Sequence, residues 1–287
     1  MTDLPAGVAA RAHRATEPLH SLVYFVPEAD MELTAVGLRP GRMCYFASRS
    51  APMGPVGPGV TAATFYNFNP DIVARHIPRA WTLATPTDIL AARLRAADRA
   101  LRRLLGDELI ASAEVAEAAA LVREATSDLA PDGRPLYAGH ADMQWPDVPH
   151  LALWHGVTLL REYRGDGHTA ALLSFGLSGI EAIITHTATG RGFVEPAARL
   201  LRGWSDEQWD AAKSALRGRG LLDGADLSAA GRELREQIEA ETDRLDAAAW
   251  QHLGPERTAR LTDLGKQLVR VVAGNGAFPP GVFAPAG

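Results

Sequence analysis

His20 lies in the stretch "EPLHSLVYF" (17–25), three residues after Glu17 and four before Tyr24. On a helix those intervals bring a carboxylate, an imidazole and a phenol onto one face. His155 lies in a second apolar run, "LALWHGVTLL" (151–160), and shares its helical stripe with Glu162. Imidazole titrates near neutrality, so two histidines and two carboxylates around one shared cavity would suit general acid–base work. The plainer alternative makes each histidine a hydrogen-bonded member of a core. Just beyond, "REYRGDGH" (161–168) gathers Arg161, Glu162, Tyr163, Arg164, Asp166 and His168 around two glycines. Arginines beside flexible backbone suit a carboxylate or phosphate ligand, whereas the bland reading is an exposed turn. Arg49, in "ASRSAPMGPVG" (47–57), stands among small residues where it could face a pocket. His20, His155 and Glu162 are therefore the candidate catalytic groups. Glu17, Tyr24, Arg49, Arg164, Asp166 and His168 are the candidate ligand-binding groups.

Other chemistries find less material. No HExxH occurs, and the His13/His20 and His150/His155 spacings do not place two ligands one turn apart, so no metal site is expected. A metal or haem assembled across the chain from His20 and His155 stays open, and no cofactor is assigned. The single cysteine, Cys44, excludes an internal disulfide framework and a Cys-rich zinc site. There is no GxxxxGK[ST], no GxGxxG and no GxSxG. The aromatics of "ATFYNFNP" (Phe65, Tyr66, Phe68) read as core.

The elements that must position these groups read as mostly helical. Of the 287 residues, 47% are hydrophobic and 22% charged, which is globular material for a substantial core. The formal net charge of -5 speaks against a surface that tracks nucleic acid everywhere. The opening "MTDLPAGVAARAHR" has no signal-peptide core, and no run approaches the roughly 18 apolar residues of a membrane span. A cytoplasmic protein with no membrane partner is expected.

The chain echoes itself in order. "EPLHSLVYF" answers to "LALWHGVTLL", and "GRMCYFASRSAPMG" (41–54) to "GHTAALLSFGLSG" (167–179). "FNPDIVARHIPRAW" (68–81) answers to "FVEPAARLLRGW" (193–204), pairing Pro70 with Pro196 and Trp81 with Trp204. The block 104–129 matches 221–245, with Ser112 opposite Ser228. In the second half a helix over Leu151–Arg164 is expected to break at Arg164–Gly167. Further helices follow from about Ser178 to Thr187, from Pro196, from the N-cap Ser205, and from Ser228 to about Leu245. First-half counterparts are Pro70–Ile77, Thr87–Leu105, a wing at Gly106–Ile110 and Ser112–Leu129. The Pro/Gly-rich stretch 130–149 reads as a linker and 274–287 as an extended tail. The expected fold is mainly α, a tandem duplication of two winged-helix-like units with short β wings: residues 1–129, a linker at 130–149, residues 150–273, and the tail. Such a chain packs as a pseudo-dimer, either alone or as a homodimer.

The segment "LLDGADLSAAGRELREQ" (221–237) resembles the wing of MarR-type winged helix-turn-helix proteins. As a whole, the chain resembles the actinobacterial SalK-like helix-turn-helix family over nearly its full length. The resemblance rests on "EPLHSLVYF", "YFASRSAPMGPVG", "TAATFYNFNP", "LLREYRGDGHTAALL" and the wing segment. It implies the architecture and brings no settled reaction. A DNA-reading helix and wing want Lys or Arg facing phosphate. Here the helix opens with Asp206 and Glu207 and carries Asp210, and the wing carries Asp223 and Asp226. The first half offers Arg93, Arg95, Arg99, Arg102 and Arg103, most simply a solvated helix face. Three readings stand at this point. The first is a small-molecule-binding protein of regulator ancestry, with its ligand between the halves and DNA binding weak or absent. The second is an enzyme of specialised metabolism using the His/Glu/Arg cluster. The third is a DNA-binding transcriptional regulator.

Overall fold

The run from His150 to Leu160 is buried on every side. A helix apolar all round must be surrounded by other elements, and the fold is arranged to do this. The structure, a computed structural model, describes residue 5 and residues 7–283. The helices are α1 (Val8–Ser21), α2 (Pro27–Ala35), α3 (Arg42–Ser50), α4 (Pro58–Phe65), α5 (Pro70–Ala74), α6 (Pro86–Ile110) and α7 (Ala113–Ala125). They continue as α8 (Pro135–Ala141), α9 (Pro149–Ser174), α10 (Gly179–Thr187), α11 (Glu195–Arg202) and α12 (Asp206–Gly218). A hairpin of β1 (Leu222–Asp223) and β2 (Asp226–Leu227) follows, then α13 (Ala229–Leu253) and α14 (Pro255–Gly274). The hairpin is antiparallel, with Leu222 opposite Leu227 and Asp223 opposite Asp226.

Helix α9 is the axis, packed by α1, α6, α7, α8 and α13. Around it lies a core built from Leu19, Leu104, Val122, Trp154, Trp250 and Leu264, drawn from early and late parts of the chain alike. A second core, with Phe46, Phe65, Phe68, Ile77 and Ile89, holds α3, α4, α5 and α6 together. A third, with Ile184, Trp209, Leu216, Leu222, Leu227 and Ile238, holds α10, α12, the hairpin and α13. Ser178, Ser205 and Ser228 each cap the next helix by accepting from the backbone N–H three residues on. Ser112 does the same for α7. Among the described residues no single helix is long and apolar enough to cross a membrane.

The structure departs from the sequence expectations at several places. The break expected at Arg164–Gly167 does not occur, and α9 runs through it to Ser174. Its glycines serve packing rather than turning. A methyl on Gly156 would overlap Val122 and press on Trp145, and one on Gly167 would come within 2.7 Å of Arg134 and 3.3 Å of Leu245. The first-half wing is absent too. Gly106 (φ 78°, ψ 158°) kinks α6, and one more helical turn follows, because Ile110 turns inward to burial. The hairpin at 222–227 is the one strand pair among the described residues. Residues 130–149 carry α8, whose Leu136, Tyr137 and His140 are buried. Of the expected tail, Phe283 bridges to Phe193, while 284–287 lie outside the described residues.

Gly156→Ala should destabilise the protein by about 1–3 kcal/mol, the usual cost of overpacking a core. The chemical-denaturation midpoint checks this, and an unchanged midpoint would show that α7 and α9 can separate at no cost.

Candidate functional site

Where α1, α3, α6, α9 and α11 meet, Arg49, Arg93, Arg161 and Arg202 gather around Glu17 and Glu162. Glu162 of α9 is 1% exposed. Arg49, at the end of α3, reaches it with one Nη at 3.3 Å from both carboxylate oxygens, and its neighbour Arg161 donates to Oε2. Burial would raise the Glu162 pKa, but the charges of Arg161 and Arg49 outweigh it and hold the carboxyl far below its ordinary value. The carboxylate thus ties the first part of the chain to the central helix as an ion.

His20 sits beside this pair, fully buried, with Nε2 3.7 Å from the carboxylate. Its tautomer follows from its neighbours. Thr158 spends its one hydroxyl proton on the Trp154 carbonyl at 2.7 Å, so toward His20 Nδ1 (2.8 Å) it can only accept. Nδ1 therefore carries the proton. Burial pushes the His20 pKa well down, so the ring is neutral and Nε2 is bare. It accepts from the Tyr24 hydroxyl at 2.9 Å, whose oxygen accepts in turn from Arg93 at 3.2 Å. Arg93 also reaches His140 Nε2 at 3.4 Å and lies over the Trp154 ring. Tyr45 accepts from Arg49 at 2.8 Å. Burial would raise this phenol's pKa, but Arg49, Arg202 and Arg161 outweigh that and lower it.

Two cavities adjoin the cluster and share Glu17 and Arg161. The smaller, about 480 Å³, is lined by Tyr24, Tyr45, Ser48, Phe68, Phe193 and Arg202. The larger, about 1100 Å³, lies between α1, α9, the hairpin and α13, with His13, His168, His186 and Arg235 in its wall.

The candidate residues thus divide. His20, Glu162, Arg49 and Tyr24 come together. Glu17 lines both cavities but bonds Ser21 at 3.2 Å rather than His20. His155 shares the Glu162 stripe yet stands about 10 Å along the axis, seven residues at 1.5 Å each. Its ring meets Trp145 edge-on, Nε2 has no hydrogen-bond partner, and burial lowers its pKa to about 4. It lines neither cavity, and the two imidazoles do not converge on a common ion. Arg164 lies in the wall of the larger cavity, where Asp243 (2.8 Å) and Asp246 (3.2 Å) bind it instead of Glu162. Asp166 accepts from the N–H groups of Leu136 and Tyr137, fixing the start of α8. His168 lies on the larger cavity and is held by Thr242 at 2.8 Å, through the same threonine device as His20.

Arg202, Tyr45 and Thr158 are not singled out by the sequence, and Arg93, read there as part of a solvated helix face, is buried. Arg93 had a signal. It falls on the stripe of Ile89, Ala92, Ala96, Ala97 and Ala100 and is 2% exposed, whereas Arg95, Arg99 and Arg103 of the same helix pair outward with Glu32 and Glu28.

The other candidate surface is α12 with the hairpin. Its bases are engaged: Lys213 with Glu195 (2.7 Å), Arg219 with Glu181 (2.9 Å), and Arg217 with the Gly224 carbonyl (3.0 Å). Asp206, Glu207, Asp210, Asp223 and Asp226 are exposed, and Arg199 reaches only Asp206 among them, at 2.9 Å.

A family model described as a helix-turn-helix family matches residues 9–279. Comparison with curated proteins and with solved structures found no match.

Lost hydration holds six histidines neutral, with His20, His140 and His155 buried and His13, His168 and His186 in the wall of the larger cavity. His155 and His186 are lowered to about 4, His168 to about 3, and His13, His20 and His140 well below 6.5. Each contributes stability that is present above its unfolded pKa of 6.5 and lost as pH falls toward its folded value. Asp166, raised by burial to about 6, Asp246, raised to about 7, and Glu17, also raised by burial, act in the opposite sense. With six groups against three, the melting temperature should fall as pH is lowered from about 6.5 to about 4. A flat or rising profile in scanning calorimetry would refute the burial of these imidazoles.

Proposed function

The chain belongs to this helix-turn-helix family, and from that premise we propose that the fold serves here as the walls of a binding cavity. The protein is a small-molecule-binding protein of regulator ancestry, its ligand lodged between the halves of a tandem duplication, with weak or absent binding to duplex DNA. The observation that carries this reading is the 480 Å³ cavity, to which the early chain brings Tyr24 and Tyr45 and the later chain Arg161 and Arg202. That volume lies in the range of small-molecule sites. The duplication is supported by the paired caps Ser112 and Ser228. Pro70 and Pro196 support it too, each in the first turn of a short helix that precedes a longer one.

The ancestry alone favours DNA as a partner, but that is an argument from fold. The exposed acids of α12 and the hairpin oppose it by repulsion from phosphate. A second reading, an enzyme of specialised metabolism, is favoured by one observation: Tyr24 lines the cavity with its hydroxyl bonded to His20 Nε2, a proton acceptor.

Native mass spectrometry of freshly purified protein should show a bound small molecule that Tyr45→Phe or Ser48→Leu releases. Retention by both variants would place the ligand elsewhere, and a wild-type chain that carries nothing and takes up nothing from a metabolite extract would refute the reading. Duplex DNA titrated at physiological salt should bind only in the non-specific range of roughly 10⁻⁴–10⁻⁶ M. A nanomolar footprint on a defined sequence would restore the regulator.

A further inference from the structure

We propose that the smaller cavity takes an organic acid: a carboxylate held by the Arg202 guanidinium, with Arg161 nearby, and an apolar body among Val26, Phe68 and Phe193. This rests on the small-molecule reading above and names the ligand's chemical class.

The protein leaves cationic charge unanswered around this cavity. Arg49, Arg93, Arg161 and Arg202 lie in or against one interior, and a guanidinium does not give up its proton. Facing them are Glu162, which Arg49 and Arg161 already share, and Glu17, which accepts from Ser21, while the exposed Asp30 accepts from the Gly41 N–H and has Arg42 beside it in the lining. Arg93 is 2% exposed and answered only by neutral groups, Tyr24, His140 and the Trp154 ring. Arg202 has no carboxylate partner among the described residues. Its guanidinium lies over Phe68 at 4.3 Å and Phe193 at 5.0 Å from the ring centroids, and its buried Nε has no hydrogen-bond partner. Stacking on rings leaves the in-plane N–H donors free, and that planar fork is the shape that matches a carboxylate. The two rings and Arg202 all line the cavity, so the free donors and the apolar wall belong to one space. Tyr45 and Ser48 add hydroxyls to the lining. A small inorganic anion would leave the apolar wall unfilled, and a neutral apolar molecule would leave the cations unanswered.

The test uses the full chain with three acids of increasing size (benzoate, 2-naphthoate and decanoate), each with its primary amide, plus acetate as a head without a body. By isothermal titration at least one acid should bind at least tenfold more tightly than its amide, and acetate should not bind measurably. Arg202→Met should weaken that acid at least tenfold, while Arg202→Lys should retain part of the affinity. Equal binding of acid and amide overturns the proposal, as does full affinity in Arg202→Met, and so does the failure of all three acids to bind. If the acids fail while the purified protein carries a neutral molecule in this cavity, the anion inference falls and the small-molecule reading stands. If no probe binds and nothing is carried, both fall.

Discussion

The ion pair of Glu162 with Arg49 and Arg161 sets the terms for everything around it. A carboxylate at 1% exposure is tolerable only when cations and hydrogen bonds replace the water it has lost. Arg49 comes from α3, so α3 must be held against α9 at a fixed depth. The second core of Phe46, Phe65 and Ile77 provides that support. The neighbours are set by their own surroundings: burial keeps His20 neutral, Thr158 fixes its tautomer so that Tyr24 donates to it, and Arg49, with Arg202 and Arg161, draws the Tyr45 phenol toward ionisation.

Much of the scaffold was legible in the sequence, and the reason is local. Ser205, Ser228 and Ser112 cap helices because a serine side chain satisfies a nearby backbone donor whatever the tertiary context. Pro70 and Pro196 open helices for an equally local reason. Gly165 and Gly167 misled, since a glycine that permits a turn and a glycine that permits close packing look alike until the neighbour is known. Here the neighbours are side chains, Arg134 and Leu245 against Gly167, far away in sequence. The segment after Gly106 misled in the converse way. It aligned with a wing, but Ile110 gains burial by continuing as helix.

The site was legible to the extent that helical spacing governs it. His20 and Tyr24 meet because they lie four apart, and the companion of Glu162 was sought on its own stripe. That rule selects a face and says nothing of depth, so His155 landed on the correct side and two turns away, against Trp145. Arg202 had no such signal. Its role depends on Phe68 and Phe193, which only the fold brings to it. The exposed acids of α12 and the hairpin, by contrast, were fully legible. Surface charge needs no partner to be read, and those acids remain in solvent.

The packing of α1 against α14 has a consequence for biosynthesis. Leu19 and Leu264 belong to one core although almost the whole described chain separates them. A ribosome adding about 5–20 residues per second needs roughly ten to fifty seconds to travel from the first helix to the last. Through that interval α1 lacks its cover from α14, and α9, once made, waits for α13. Contacts this distant along the chain also slow the search that closes them. The nascent protein therefore presents its greasiest helix to the cell before the segment that shields it exists.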